Sequence, residues 1–242
     1  MKLNIFNTEN EVLDALAAHF VKIAGESIAA RGKFSVALSG GSSPKKLYEL
    51  LASLSYADSV EWEKVYFFFG DERNVPQTDK DSNYLMTKKA LFAPLMIDPA
   101  NVFPIDTSLE PKDAAKKYED EINQFFDDEE LSFDLILLGL GDNSHTASLF
   151  PFTPVLHDRT PGVRDVFLPD QQVYRITLNA PLINEARHIA FLVYGENKAI
   201  AVHHVLEDDE DIEEFPAQLI EPIVGEIEWF LDEAAASMLK HK

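Results

Sequence analysis

Apolar residues recur along this chain in two alternating patterns, one with the period of a helix and one in short continuous runs. Residues 9–30 carry apolar side chains every three or four positions, with Thr8 as the predicted N-cap and Gly32 as the predicted stop. The run Phe34–Leu38 then has the length and composition of a buried strand. Ser43 and Pro44 begin the next helix, because serine is a good cap and proline is tolerated in the first turn.

The same alternation continues to the end of the chain. It predicts strands at 65–69, 133–138, 173–178, 188–193 and 227–231, and helices at 83–92, 112–126, 197–206 and 232–239. Strands separated by helices indicate an α/β fold with a doubly wound, mostly parallel, Rossmann-like sheet and helices on both faces. Residues 152–172 have weak periodicity with several prolines and glycines, so we predict a loop near the site and a candidate lid.

Composition limits what this fold can bind. The 242 residues are 46% hydrophobic, enough for one core, and we expect a single domain over residues 1–242. The formal net charge of -21 repels phosphate backbones, which argues against a nucleic-acid partner. Much of this charge lies in the acidic runs 127–130 and 207–214, which we interpret as solvated segments rather than sites.

Two features that the sequence lacks limit the cellular compartment that we expect for this protein. There is no cysteine, which excludes disulfides, thiolate nucleophiles and cysteine metal sites. No apolar run approaches the ~20 residues of a membrane span, and the first seven residues do not resemble a signal peptide. We therefore expect a cytoplasmic protein with no membrane partner.

Three loops at predicted strand ends carry the candidate chemistry. The first, Ser39-Gly40-Gly41-Ser42, lies between a strand and the start of a helix. Glycines let a backbone approach an anion closely, and the free amides of a helix start attract it. The loop is therefore either a phosphate cradle or a tight turn, and it has neither P-loop nor dinucleotide-binding spacing.

The second loop, Gly70-Asp71-Glu72-Arg73, follows a run of aromatic residues that must be buried. Charged residues at the end of a buried strand point either into the crevice above the sheet or into solvent. An arginine there suits bidentate binding of phosphate. Asp71 and Glu72 either bind sugar hydroxyls or form an ion pair with Arg73.

The third loop, residues 139–151, delivers His145 after a glycine-rich turn at the end of a predicted strand. Open α/β sheets place their sites at this end of the strands, and no apolar stripe explains the histidine as a core residue. The other histidines lack such a setting, and no pair has a third partner at metal-ligand spacing. We predict acid-base chemistry at His145 and no metal.

These loops, in this order, resemble those of the 6-phosphogluconolactonases. The match comprises Ser39-Gly40-Gly41-Ser42-Ser43-Pro44, 71–73 with 75–76 and 81–83, His145-Thr146-Ala147-Ser148-Leu149-Phe150-Pro151, 175–178, 195–199, 216–217 and 225–235. The resemblance covers nearly the whole chain. It implies hydrolysis of 6-phosphoglucono-1,5-lactone to 6-phosphogluconate, the second step of the oxidative pentose phosphate pathway, with no metal or organic cofactor.

The implied fold is shared with glucosamine-6-phosphate deaminase and ribose-5-phosphate isomerase. The deaminase is the main alternative, since it also has a glycine-rich phosphate loop and a histidine after a Gly-x-Gly turn. Deaminases continue that motif as His-Ile-Ala-Phe-Asn-Glu-Pro, whereas this chain continues from His145 as His-Thr-Ala-Ser-Leu-Phe-Pro, which favours the lactonase. A non-enzymatic sugar-phosphate sensor is a second alternative, and it would lose the base and carry an added domain.

The resemblance also implies that His145 activates water for attack on the lactone carbonyl. The family usually has aspartate and glycine directly before this histidine, whereas this chain has Asn143 and Ser144, with Asp142 one residue earlier. An asparagine can orient an imidazole but supplies no charge, so either Asp142 takes over by a loop shift or no carboxylate is needed. A covalent route through Ser148 or Ser42 ranks below attack by water.

The predicted site has two groups of residues. The catalytic group is His145, Asn143, Asp142 and Asp71. The group that binds substrate and its phosphate is Ser39, Gly40, Gly41, Ser42, Arg73, Arg175 and Lys198. The expected partner is a phosphosugar lactone, and the expected oligomeric state is a monomer or homodimer.

Overall fold

The main sheet joins six parallel strands, and a smaller sheet joins three antiparallel strands. The computed structural model describes residues 1–127 and 130–240. The strands in these residues are β1 Lys2–Phe6, β2 Phe34–Leu38, β3 Val65–Phe69, β4 Asp71–Arg73, β5 Leu135–Leu138, β6 Val163–Leu168, β7 Val173–Leu178, β8 His188–Val193 and β9 Glu226–Asp232. The larger sheet has the order β1-β9-β8-β5-β2-β3, and the smaller sheet has the order β4-β7-β6.

The helices connect and cover these strands. They are α1 Glu9–Arg31, α2 Ser42–Leu51, α3 Asn83–Thr87, α4 Pro111–Phe126, α5 Ala180–Asn184 and α6 Ala199–Glu207. The longest, α1, begins with a capping box between Thr8 and Glu11 and ends at Gly32, whose φ of 76° suits a left-handed cap. Thr8 and Gly32 are the cap and the stop that were predicted from the sequence.

The strand order reverses at β2. The chain passes from β2 to β3 on one side, and it then returns to β5 on the other side of β2. The loops that follow β2 and β5 therefore flank a crevice at the carboxyl ends of the strands, where open α/β sheets bind ligands. This topology brings the first and third predicted loops together.

Buried strands and aromatic packing hold this end of the sheet in place. Every residue of β2 and β5 is buried, as their continuous apolar runs predict. Phe68 of β3 stacks on Phe103 with ring centroids 4.5 Å apart, and Phe133 meets Phe68 edge to face. The Tyr118 hydroxyl accepts a hydrogen bond of 2.7 Å from the backbone N–H of Phe69, directly before the second loop.

The predicted α/β fold is confirmed, but several elements differ from the sequence-based boundaries. Strand β1 was not predicted, and the predicted helix at 232–239 is the end of β9 followed by turns. In those turns the Asp232 carboxylate accepts hydrogen bonds from the backbone N–H groups of Gly195 and Ala235. Asp232 itself pairs with Phe6 as the last residue of β9, so the chain is extended where the helix was predicted to begin. The predicted helix at 83–92 is α3 followed by a π-helical turn, Lys88–Phe92.

Residues 152–172 are not one loop, which corrects the sequence-based prediction. They contain a 3-10 turn at Pro154–His157 and strand β6, which pairs with β7 along its whole length. The pairing partner lies further along the chain, so the local sequence of β6 with its imperfect alternation carried little signal. Closure of this segment over a ligand stays a prediction.

The structure also shows where the acidic runs lie and whether any described helix could span a membrane. Most of the acidic run 207–214 is exposed, and none of its residues is fully buried. Residues 128 and 129 of the other acidic run lie outside the described residues. Across 1–127 and 130–240, the structure has no helix that is both long and apolar enough to cross a membrane.

Candidate active site

A cavity of about 360 Å³ opens where the three predicted loops meet. Nine of the eleven predicted site residues line it: Ser39, Gly40, Gly41, Ser42, Asp71, Arg73, His145, Arg175 and Lys198. The other two, Asn143 and Asp142, contact residues of the lining instead. The topology therefore assembles one site from segments that are far apart in the sequence.

The loop after β5 is folded tightly around its own backbone. The Gly141 N–H donates to the His145 carbonyl at 2.8 Å, and the Thr146 hydroxyl donates to the Gly139 carbonyl at 2.8 Å. Ser144 has a φ of 60°, a left-handed conformation that reverses the chain before the histidine. These bonds fix the direction in which the imidazole leaves the backbone.

The His145 ring lies directly against Gly141. A Cβ atom added to Gly141 would be 2.0 Å from His145 Nδ1, so no other residue type fits there without moving the ring. Phe150 stacks on the imidazole with ring centroids 4.0 Å apart. The glycine and the phenylalanine of the motif therefore both hold the imidazole.

Asn143 is the residue that orients His145. Its Oδ1 is hydrogen-bonded to His145 Nδ1, and an amide oxygen can only accept, so Nδ1 carries the proton. In the neutral ring Nε2 then has a free lone pair. Asn143 is therefore in contact with the imidazole, and this contact favours the tautomer that leaves Nε2 without a proton.

Burial lowers the pKa of His145 to about 4. Desolvation of the imidazolium is the largest cause, and the positive charges of Lys198 and Arg175 act in the same direction. The negative charges of Asp71 and Asp142 oppose the shift. At neutral pH the imidazole is therefore uncharged and able to accept a proton.

Asp71 is buried and held by two neighbours. Its Oδ2 accepts a hydrogen bond of 2.7 Å from the Ser148 hydroxyl, and its Oδ1 accepts one of 3.2 Å from Asn83 Nδ2. Ser148 is in turn fixed by its backbone N–H, which donates to Thr177 Oγ1 at 3.1 Å. The carboxylate is thereby fixed beside the histidine rather than free to rotate.

Glu72 faces away from the cavity, and neither sequence-based role applies to it. Its carboxylate accepts hydrogen bonds of 2.8 Å from the backbone N–H groups of both Asn83 and Tyr84, and one of 3.1 Å from the Ser82 hydroxyl. These partners form the first turn of α3, so Glu72 stabilises a helix start. Burial is the main cause that raises the pKa of Glu72. Successive residues of a strand point to opposite sides, which separates it from its neighbours Asp71 and Arg73.

Two arginines face each other at one side of the cavity. Arg73 of β4 lies directly opposite Arg175 of β7 in the antiparallel pairing. Like charges at opposed strand positions destabilise a sheet, so this pair favours a bound anion. Desolvation, followed by the charge of Arg73, lowers the pKa of Arg175. The Arg73 Nη1 donates to the Asp81 carbonyl at 2.7 Å, which anchors one end of its guanidinium.

Lys198 carries the third positive charge of the cavity. Its ammonium is 2.5 Å from Asp142 Oδ1, and Asn197 Nδ2 donates to the same oxygen at 3.4 Å. The carboxylate of Asp142 is therefore directed to Lys198 and not to the imidazole. This corrects the proposal that Asp142 replaces the missing carboxylate beside His145.

The loop after β2 also lines the cavity. Helix α2 starts at Ser42 without a side-chain cap, so its first amides are open to a ligand. The buried Ser39 Oγ has no hydrogen-bond partner among the described residues. A Cβ atom on Gly40 would be 1.8 Å from Asn83 Oδ1, so glycine here lets α3 pack against the loop.

Several residues at the site were not among the site residues predicted from the sequence. Asn83 and Ser148 hold Asp71, and Phe150, Gln171 and Tyr194 line the cavity. Asn83, Ser148 and Phe150 belong to motifs that carried the resemblance, so the motif itself was a usable signal. Gln171 and Tyr194 had no such signal, because only the tertiary structure brings them to the cavity.

Comparison with known proteins identifies the family of this chain. The model of a family described as glucosamine-6-phosphate isomerases/6-phosphogluconolactonase matches residues 7–229. This chain belongs to that family. A family member from Synechocystis sp., named 6-phosphogluconolactonase, is 42% identical over 220 residues, which is 89% of this chain and 88% of the relative.

Solved structures of the family show the same architecture. The structure titled 6-phosphogluconolactonase from Trypanosoma cruzi has a TM-score of 0.85 and 28% identity, and the match covers 99% of this chain and 97% of that chain. A monomeric glucosamine-6-phosphate deaminase has a TM-score of 0.83 and 21% identity, covering 98% of this chain and 100% of that chain. At that identity the deaminase shows a shared fold alone. The family predicted from the sequence is confirmed.

Proposed function

We propose that this protein hydrolyses 6-phosphoglucono-1,5-lactone to 6-phosphogluconate. The observation that carries the proposal is a neutral, oriented imidazole in a cavity that also contains an opposed arginine pair. The 42% identity to a protein named 6-phosphogluconolactonase supports the same substrate. The protein would act as a carboxylic ester hydrolase in the oxidative pentose phosphate pathway.

His145 acts as the general base in this proposal. Its Nε2 takes a proton from water, and the resulting hydroxide attacks the C1 carbonyl of the lactone. The imidazolium then returns the proton to the ring oxygen as that oxygen leaves, so one residue serves both half-steps. Backbone amides at Gly40, Gly41 or the start of α2, which lie at the cavity, would stabilise the oxyanion.

Asp71 supplies the negative charge that Asn143 lacks. The Asp71 carboxylate lines the same cavity as His145 and favours the protonated ring, while Asn143 fixes its tautomer. Orientation and charge, which a single carboxylate provides in a Ser-His-Asp triad, are thus divided between two residues. Ser148 has its hydroxyl engaged with Asp71, which supports attack by water over a serine nucleophile.

The phosphate end of the substrate is held by Arg73, Arg175 and Lys198 in this proposal. A phosphate dianion between the two arginines would offset the repulsion between them. It would also offset positive charges that lower the pKa of His145, and so make the base stronger when substrate is bound. Binding energy at the phosphate would position the lactone for attack.

Parallel substrates test the proposed function. Purified protein is mixed with freshly generated 6-phosphogluconolactone, and loss of lactone is followed above the spontaneous rate. Glucosamine 6-phosphate is the matched substrate for the deaminase alternative. We expect lactone hydrolysis and no release of ammonia. Ammonia release without lactone hydrolysis would overturn the proposal, and binding without turnover of either substrate would favour a sensor.

A further inference from the structure

The β6–β7 hairpin brings to the cavity a side chain that the proposed reaction leaves without a role. Pairing of the two strands ends at Leu168 and Val173, so residues 169–172 form the connecting turn. Gln171 lies in this turn and lines the cavity beside Arg175. A neutral amide thus accompanies the cationic end of the site.

The contact between these two side chains fixes the orientation of the amide. Gln171 Oε1 accepts a hydrogen bond of 3.1 Å from Arg175 Nη2. Because the amide group is planar, its oxygen and its NH₂ group point in different directions. The bond therefore steadies the arginine and leaves the amide N–H donors of Gln171 directed away from it, available to another acceptor.

The surrounding charges indicate what that acceptor is. Gln171 contacts Arg175 without neutralising it, so the opposed pair of Arg73 and Arg175 keeps its full positive charge at this position. Two adjacent cations beside a neutral amide donor suit a tetrahedral dianion with several acceptor oxygens.

We propose that Gln171 donates a hydrogen bond to the phosphate group of the substrate while it holds Arg175. The residue would thereby set the preference of the enzyme for phosphorylated over unphosphorylated lactones. This inference rests on the proposed function for the identity of the substrate. The contact itself concerns a phosphate monoester and is measurable by binding alone.

Three variants separate the donor role from other effects. Gln171→Glu has nearly the same shape and keeps the acceptor for Arg175, but it replaces the donor with a negative charge. Gln171→Ala removes both the donor and the acceptor for Arg175 without adding charge, so a loss shared by both variants reports the donor. Gln172→Ala is the control, since Gln172 lies in the same turn, its Nε2 donates to the Pro169 carbonyl at 2.7 Å, and it does not line the cavity.

The experiment measures the Kd for 6-phosphogluconate by calorimetry, together with kcat and KM for 6-phosphogluconolactone and for glucono-1,5-lactone. We expect the 6-phosphogluconate Kd to rise about tenfold or more in both Gln171 variants, as for a lost hydrogen bond to a charged group. KM for the phosphorylated lactone should rise in parallel with little change in kcat. Gln172→Ala should stay within about twofold of wild type, a range typical of surface substitutions.

Two results would overturn the inference. One is a Kd within twofold of wild type in Gln171→Ala, even if Gln171→Glu binds weakly, because charge repulsion needs no lost donor. The other is an equal loss on the unphosphorylated lactone, which would indicate a general distortion of the site. Failure of the wild-type protein to hydrolyse either lactone would overturn the proposed function separately, and the Kd values would still decide the role of Gln171.

Discussion

At the scale of single residues, control of His145 depends on what stands next to it. Asn143 orients the ring, burial keeps it neutral, and Asp71 provides the charge that favours its protonated form. A carboxylate in place of Asn143 would combine two of these tasks. The substitution Asn143→Asp keeps the oxygen that orients the ring and adds a negative charge, so it tests the effect of charge alone.

We predict that Asn143→Asp raises the pKa of His145, because a carboxylate adjacent to the ring stabilises the imidazolium. In the wild-type protein the ring should titrate near pH 4 by NMR, well below the ordinary value of 6.5. The assignment is made by loss of the signal in His145→Ala. A wild-type midpoint near 6.5, or no upward movement in Asn143→Asp, would contradict this account.

The lowered pKa of His145 also makes the stability of the protein depend on pH. Between pH 4 and 6.5 the unfolded chain binds a proton at His145 that the folded protein does not. The contribution of this group to stability is therefore fully present above pH 6.5 and is lost as the pH falls towards 4. Asn143→Asp, by raising the folded pKa, should reduce that part of the acid sensitivity.

At the scale of elements, the turn after β5 fixes the position of the His145 ring. We predict that Gly141→Ala lowers kcat about a hundredfold, since the new Cβ would overlap His145 and displace the ring from its hydrogen bond with Asn143. Gly25→Ala in α1 is the matched control, because a Cβ there meets no atom within 4 Å.

Steady-state kinetics and thermal unfolding of both glycine variants check this prediction. Gly141→Ala should keep a folded structure with little turnover, whereas Gly25→Ala should match wild type in kcat. Normal kcat in Gly141→Ala would contradict this prediction, because it would show that turnover does not depend on the position of the His145 ring.

The elements also show what sequence patterns could and could not give. Helix α1 was predictable because its cap, periodicity and stop are local, and β2 and β5 were predictable because both of their faces are buried. Strand β6 was not predictable, since it is defined by pairing with β7. The predicted helix at 232–239 was wrong because Asp232 pairs with Phe6 as the last residue of β9, and residues 233–238 form turns.

At the scale of the whole molecule, the candidate site is assembled by topology. The three loops could be recognised separately. The reversal of strand order at β2 explains why the first and third loops meet, and the position of β3 beside β2 brings the second loop to the same edge of the sheet. The sequence could not show that Glu72 faces α3, that Asp142 pairs with Lys198 or that Gln171 reaches the cavity. Each of these depends on contacts between segments that are distant in the chain.

The fold alone does not select the reaction, since a glucosamine-6-phosphate deaminase has the same architecture at 21% identity. The choice depends on the site, where Phe150 of the histidine motif contacts His145 and Ser148 contacts Asp71. The protein as a whole carries a net charge of -21, yet the cavity gathers Arg73, Arg175 and Lys198. Local placement of cations, rather than overall charge, suits it to a phosphorylated substrate.

The central claim is that His145 activates water for hydrolysis of the lactone. The most direct measurement compares wild type and His145→Ala for kcat on freshly generated 6-phosphogluconolactone and for the Kd of 6-phosphogluconate. We predict that kcat falls by a factor on the order of a hundred or more while the Kd changes little, because a base acts in the transition state. Near-normal turnover in His145→Ala would contradict the account.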